Sequence, residues 1–238
     1  MKKYIKKIIN NMGLEIHRFN SKTTSDGLIA TAIKHFQIDL VLDIGANEGQ
    51  YAKKLIAYGY KGAICSFEPL TSAYKILAET AKGFGGWIVY PRCALGELTG
   101  QIEINISENS VSSSILPMEK AHLKSAPNSG YCSKELTEVV ALNEIYDEVS
   151  KGFNATFLKI DTQGYEWQVL NGSSRILDRV KGIQIELSLL ELYSGQRLME
   201  DIKIRLEGLG FTLWGIFPAF TDVDNGRVLQ LDGLFFRE

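Results

Sequence analysis

The stretch Val41-Leu42-Asp43-Ile44-Gly45-Ala46-Asn47-Glu48-Gly49 decides how this chain is read. An apolar strand, Leu40-Val41-Leu42, enters an acid and then a glycine-bearing turn. Beyond the turn, Tyr51, Ala52, Leu55 and Ile56 fall on one face of a helix. In an open α/β sheet, that order of strand, turn and helix sets a ligand at the carboxyl edge of the strands. Gly45 lets the backbone approach a ligand, and Gly49 lets the helix pack near the strand. Asn47 stands where the dinucleotide-binding turn GxGxxG has its middle glycine. A pyrophosphate needs bare backbone there, whereas a smaller zwitterionic group tolerates a side chain. Taken alone, the turn is equally well explained by incidental glycines.

Working outward, apolar runs alternate with helical patterns, the signature of a parallel sheet with helices on both faces. A strand is expected over residues 63–67, ending at Glu68-Pro69, where proline must take the chain out of the sheet. A helix over 72–82 leads to a strand over 87–90, and Gln101-Ile102-Glu103-Ile104-Asn105-Ile106 alternates as a strand with one polar face. Residues 107–131, rich in Ser, Asn and Pro, read as a long loop, which inside a domain is a lid, a binding loop or disorder. Strands follow at 139–141, 155–160 and 182–187, with helices at 142–149, 165–170 and 198–209. The strands 211–216 and 228–236 close the chain as an antiparallel hairpin edge. The expected fold is α/β, a doubly wound, mostly parallel sheet, with residues 1–36 as a helical extension and 37–238 as the domain.

Other constellations fall at the same edge. Glu68 lies 25 positions beyond Asp43, where an acid can accept hydrogen bonds from both hydroxyls of a ribose. The small residues of Cys93-Ala94-Leu95-Gly96 suit an adenine ring, though a Cys-Ala pair is also ordinary core. In Phe157-Leu158-Lys159-Ile160-Asp161-Thr162-Gln163-Gly164-Tyr165-Glu166, Asp161 ends an apolar strand within reach of substrate or of a ligand's ammonium group. Lys159 reads as solvated or paired, and Glu166 as an acid in a first helical turn. Glu186 ends the next strand, so Asp161 and Glu186 together are candidates for a divalent cation or for a shared general base. His122, in the irregular segment, is a third candidate base.

Composition narrows the classes. The chain has 238 residues, 45% hydrophobic and 23% charged, with a formal charge of -2. No basic patch points to nucleic acid. The three cysteines lack close spacing, which favours a reducing cytoplasm over a disulfide framework. No apolar run approaches the roughly 18 residues a membrane span needs. The first residues lack the long apolar core and cleavage site of a signal peptide. Tyr4, Ile5, Ile8, Ile9 and Met12 instead form one face of a short amphipathic helix, with Lys2, Lys3, Lys6 and Lys7 opposite. Residues 1–12 could therefore touch an anionic membrane peripherally, or simply dock with the lysines solvated.

VLDIGANEGQYA, SFEP, CALG, the Ser112-Ser113-Ser114 loop and FLKIDTQGYEWQVLNG, in that order, resemble the FkbM family of class I methyltransferases over residues 41–236. The resemblance implies a Rossmann-like seven-stranded sheet with an antiparallel C-terminal edge strand, and S-adenosylmethionine as methyl donor. It implies that Asp43, Gly45, Asn47 and Gly49 shape the pocket for the methionyl part. Glu68, followed by Pro69, would hold the ribose, Ala94 the adenine, and Ser113 and Ser114 the loop beside the cofactor. Asp161 would stand between cofactor and acceptor. Gln163 departs from a position that is often acidic in this family, which puts in doubt a metal or base role there. The expected reaction is O-methylation of a hydroxyl on a sugar, glycan or secondary metabolite, with Asp161, Glu186 and His122 as bases in that order. A nicotinamide-dependent oxidoreductase on the same sheet, an N- or carboxyl-methyltransferase, and a non-catalytic cofactor-binding module are the alternatives.

Overall fold

The computed structural model describes residues 23–238. The amphipathic helix expected near residues 1–12, with its membrane contact, lies outside the described residues. The described chain begins with α1 (Ser25–His35), whose first turn is capped by the Thr24 hydroxyl accepting the Gly27 N–H at 3.2 Å. Alternating elements follow: β1 (Leu40–Ile44), α2 (Gln50–Ala57), β2 (Ala63–Phe67), α3 (Thr71–Ala81), β3 (Trp87–Val89), β4 (Ala94–Leu95) and β5 (Gly100–Ser107). Then come α4 (Lys120–Ser125), β6 (Tyr131–Val140), α5 (Leu142–Val149), β7 (Thr156–Ile160), α6 (Glu166–Gly172), β8 (Val180–Ser188), α7 (Met199–Gly208), β9 (Thr212–Thr221) and β10 (Val228–Phe236).

Seven strands form the main sheet in the order β3-β2-β1-β7-β8-β10-β9. The strands from β3 to β8 run parallel, and β10 is antiparallel to both neighbours. The C-terminal hairpin thus makes the sheet edge, with β10 as its inner strand and β9 as its outer one. Alternation within β1 separates two cores. Leu40, Leu42 and Ile44 pack with Leu142 and Tyr146 of α5, Leu170 of α6 and Leu206 of α7. Val41 packs on the opposite face with Ile29 and Ile33 of α1, Ala52 and Leu55 of α2, and Leu77 of α3. Burial on both faces is what a parallel strand requires, and all of β1 and β7 is buried.

The middle of the chain differs from the expectation of a short strand at 139–141 and a loop over 107–131. β6 is ten residues long and pairs antiparallel with β5, and with β4 they form a second, three-stranded sheet. Residues 110–112 and 127–129 make 3₁₀ turns, and α4 stands between them. The polar composition that hid this order serves hydrogen bonds inside the segment, such as Ser107 Oγ to the Ser129 carbonyl at 2.8 Å. Among the described residues, no helix is long and apolar enough to cross a membrane.

Candidate functional site

A cavity of about 310 Å³ opens at the carboxyl edge of β1, β2 and β7. The β1–α2 turn forms one wall. Gly45, Asn47 and Gly49 all have positive φ, at 76°, 48° and 83°. The reason for each glycine is steric. A Cβ on Gly49 would lie 2.5 Å from the Trp87 ring, so Gly49 does serve helix packing. A Cβ on Gly45 would meet the Asp161 carbonyl oxygen at 1.9 Å. Gly45 therefore lets two strand ends of the site approach each other, rather than only a ligand.

The turn also spends its own donors. The Gly45 and Ala46 N–H groups bond the Phe67 carbonyl at 3.1 and 3.0 Å, and the Asn47 N–H bonds Glu68 Oε2 at 2.8 Å. The Glu48 N–H goes to the Asn47 side chain and the Gly49 N–H to the Ala46 carbonyl, both at 2.9 Å. A pyrophosphate is held by such N–H groups, and here each already has a partner. This counts against the dinucleotide alternative.

Glu68 is buried on the opposite wall, its second oxygen accepting the Leu70 N–H at 2.8 Å. Two backbone donors fix the carboxylate and leave one lone pair on each oxygen for further donors. Pro69 and Ala94 line the cavity beside it, together with Phe67, Leu95 and Ile104. Ser113 and Ser114 line it from residues 107–131, where the sequence predicts a loop. Ser114 Oγ donates to the Gln163 carbonyl at 2.6 Å, and Ser113 Oγ accepts the Ser107 N–H at 3.0 Å.

Asp161 presents its carboxylate to the cavity with 38% of the side chain exposed. Lys159, 8% exposed, bridges it at 3.4 Å and Asp43 at 3.5 Å, and also donates to the Gly45 carbonyl at 3.2 Å. Burial pulls the Lys159 pKa down, but Asp161 and Asp43 outweigh it and raise it overall, so this lysine is charged. Asp43 itself is buried behind the cavity wall, accepting from Ser66 Oγ at 3.3 Å.

Glu186 and His122 do not reach the cavity. Glu186 lies behind Gln163, whose amide N–H₂ donates to Asp161 at 2.8 Å and to Glu186 at 3.3 Å. That amide takes the place a cation would fill between the two acids, and the Lys159 ammonium already pairs with Asp161 from the Asp43 side. Among the described residues, no group of three or more His, Cys, Asp and Glu side chains could hold a metal ion. The pair as it stands does not fit a divalent ion. His122 sits in α4, packed against Tyr193 and Phe220 with ring centroids at 5.1 and 5.2 Å. Burial lowers its pKa to about 4, and its place is in the packing of α4 rather than at the site.

Sequence reading left several lining residues unassigned, among them Tyr51, Gln184 and Asp232, whereas Lys159, which reads as solvated or paired, is paired with Asp43 and Asp161. It also missed Tyr193, whose hydroxyl donates to Gln163 Oε1 at 2.7 Å and so orients the amide that holds Asp161.

The acids carry a pH dependence. Burial raises Glu68 to about 7, against the pull of the Leu70 and Asn47 N–H groups, and raises Glu166 to about 7. Burial and then Asp161 raise Asp232 to about 6. Each acid holds its proton more firmly in the folded chain than in the unfolded one. The stability they contribute is full below their unfolded values and is lost as pH rises through 6 to 7. His122 acts oppositely, but only below about 6.5. The melting temperature of the ligand-free protein should therefore fall between about pH 4.5 and 7, level off above that, and fall less steeply in Glu68→Gln. Equal slopes by differential scanning fluorimetry would remove Glu68 from this account.

A parallel sheet whose β1–α2 turn has its N–H groups already partnered, with an acid-rich cavity at its carboxyl edge, suits a cationic ligand better than a pyrophosphate. The chain belongs to the FkbM methyltransferase family, whose domain model, described as methyltransferase FkbM domain, matches residues 43–213. It is an S-adenosylmethionine-dependent methyltransferase. No curated protein matches the sequence. Similar solved structures include TehB from Haemophilus influenzae, 10% identical with a TM-score of 0.48, over 89% of this chain and 62% of that one. The methyltransferase domain of bacterial CtHen1-C is 11% identical with a TM-score of 0.47, over 92% and 99% of the two chains. An rRNA methylase from Streptococcus thermophilus is 12% identical with a TM-score of 0.47, over 93% and 99%.

Proposed function

We propose that the protein transfers the methyl group to a hydroxyl oxygen of a sugar, glycan or related metabolite, with Asp161 as general base. The observation that carries this reading is the Asp161 carboxylate, open to the cavity and held by Lys159 and Gln163. A sugar hydroxyl is barely ionised near neutral pH, so an oriented carboxylate is the group its proton needs.

The residues present fit the cofactor. Four acids, Asp26, Glu68, Asp161 and Asp232, line the cavity against two lysines, Lys54 and Lys159. That excess suits a ligand bearing sulfonium and ammonium charges. Glu68 would hold the ribose, Ala94 and Pro69 the adenine side, and Ser113 and Ser114 the flank, while Asp43, through Lys159, sets the charge beneath the turn. S-adenosylmethionine supplies a methyl already activated on sulfur. With that methyl donor bound, Asp161 would take the proton of the acceptor hydroxyl as its oxygen is methylated, and the cavity walls would hold the acceptor oxygen close to the donor.

The direct test is a panel of neutral glycosides, aminoglycosides, amines and carboxylic acids incubated with radiolabelled S-adenosylmethionine. Labelled ether formed from a glycoside is the expected product. Label found only in amines or esters would overturn hydroxyl methylation and leave the methyltransferase in place.

A further inference from the structure

A file of polar side chains crosses the apolar interior of the main sheet. Ser66, Asp43, Lys159 and Gln184 stand abreast in register on β2, β1, β7 and β8. This is the face that α1 and α2 cover, because Val41, two positions from Asp43, packs against them. At one end Trp87 Nε1 donates to Ser66 Oγ at 2.9 Å and Ser66 donates to Asp43 Oδ2, while Asp43 Oδ1 has the Lys159 ammonium at 3.5 Å and no hydrogen bond. Lys159 in the middle is paired with Asp43 and Asp161.

At the other end the file is not satisfied. Gln184, 5% exposed, has no partner for Oε1. Tyr51 of α2 has a buried hydroxyl with no partner either, and its ring lies 5.6 Å from the Lys159 ammonium. Asp232, on β10, is adjacent to Gln184 and interacts with it. All three line the cavity, on the side away from Glu68. Buried polar atoms in folded proteins nearly always have partners. Two orphaned atoms on residues that line one cavity mark a place where a ligand can supply the missing hydrogen bonds.

Resting on the hydroxyl-methylation reading, we propose that Tyr51, Gln184 and Asp232 form the acceptor subsite and take a polyhydroxylated ring without negative charge. Ring hydroxyls donate to Gln184 Oε1 and Asp232 and pair with the Tyr51 hydroxyl, which leaves the reacting hydroxyl at Asp161. The exclusion of anions follows from the charges. Asp26, Asp161 and Asp232 line this end, Lys54 is paired with Asp26 at 3.4 Å, and Lys159 is committed to Asp43 and Asp161. A carboxylate or phosphate on the acceptor finds no unpaired cation among these lining residues.

The other occupant this end could take is the amino-acid end of the cofactor, and the test separates the two. Tyr51→Phe and Gln184→Leu are made singly. The affinity of each for S-adenosylhomocysteine is measured by calorimetry. Binding of methyl glucoside to the S-adenosylhomocysteine-loaded protein is read by saturation-transfer NMR, alongside KM and kcat for the glycosides the wild type methylates. Nucleoside affinity should stay within about 2-fold, while glycoside KM rises roughly 5- to 10-fold per lost hydrogen bond, with a smaller change in kcat. Methyl glucoside should outcompete the corresponding glucuronide.

A nucleoside affinity that falls tenfold in both variants assigns the subsite to the cofactor and overturns the proposal. Preference for the glucuronide, or glycosides methylated equally by all three proteins, overturns it while leaving hydroxyl methylation standing. A wild type that methylates amines but no glycoside brings down the hydroxyl reading, and this proposal with it.

Discussion

Gly45→Ala should destabilise the protein by about 3 kcal/mol or more and lower its melting temperature by roughly 6–12 °C. Two costs add at this position. Alanine at a φ of 76° pays about 1–2 kcal/mol for the left-handed conformation alone. Its Cβ would also fall 1.9 Å from the Asp161 carbonyl oxygen, so β1 and β7 must separate at their carboxyl ends. Gly59→Ala isolates the first cost, because Gly59 has a φ of 91° with nothing within 4 Å of its Cβ. That variant should lose only about 2–8 °C by thermal unfolding, less than Gly45→Ala measured alongside it. Equal losses in the two would show that the close approach costs nothing. Separation at Asp161 should also weaken S-adenosylhomocysteine binding in Gly45→Ala and leave it unchanged in Gly59→Ala.

Gly45 also shows what could and could not be read from sequence. The turn was legible because backbone conformations that favour glycine sit at fixed offsets from an apolar strand. Which atom would collide with a side chain was not, since Asp161 is far away along the chain and meets Gly45 only through β-sheet pairing. The order of the parallel strands and the C-terminal hairpin were legible for a similar reason: apolar runs with β-branched residues have little choice of environment. The second sheet was harder to see. β6 exposes most of its length, so Tyr131 to Thr137 carries no apolar run and resembles a polar loop.

The cavity divides in the same way. Asp43, Glu68 and Asp161 end strands, and a strand end marks a binding edge in this architecture. Lys159 and Gln184 lie inside strands, where a polar residue between Leu158 and Ile160, or between Ile183 and Ile185, has no obvious role. One signal was available. Lys159 precedes Asp161 by two positions and Gln184 precedes Glu186 by two, so a two-residue period puts each on the same face as a strand-end acid. Tyr51 gave no signal, because a tyrosine on the apolar side of an amphipathic helix is usually core. His122 misled for the opposite reason. Its segment looked irregular enough to close over the site, but α4 turns the ring into packing against Tyr193 and Phe220.

Asp161→Asn should lower kcat by about 10²- to 10⁴-fold, the range a general base contributes, while S-adenosylhomocysteine affinity stays within a few-fold. Asparagine keeps the shape and an oxygen for the Gln163 amide, and Lys159 keeps Asp43 as its counter-ion. What is lost is the charge that faces the cavity and the site for the acceptor proton. Glu186→Gln is the control that separates the two acids. Both Gln163 and Gln230 donate to the same oxygen of Glu186, at 3.3 and 2.6 Å, so a glutamine carbonyl can keep both bonds. Burial, and then Asp161, raise the Glu186 pKa well above the usual carboxylate range, a shift toward its neutral form. An amide there resembles the protonated acid, and turnover should fall less than about tenfold. If Asp161→Asn keeps near-full turnover while Glu186→Gln loses it, the base is the inner acid, and the cavity-facing carboxylate serves only to hold Lys159 in place.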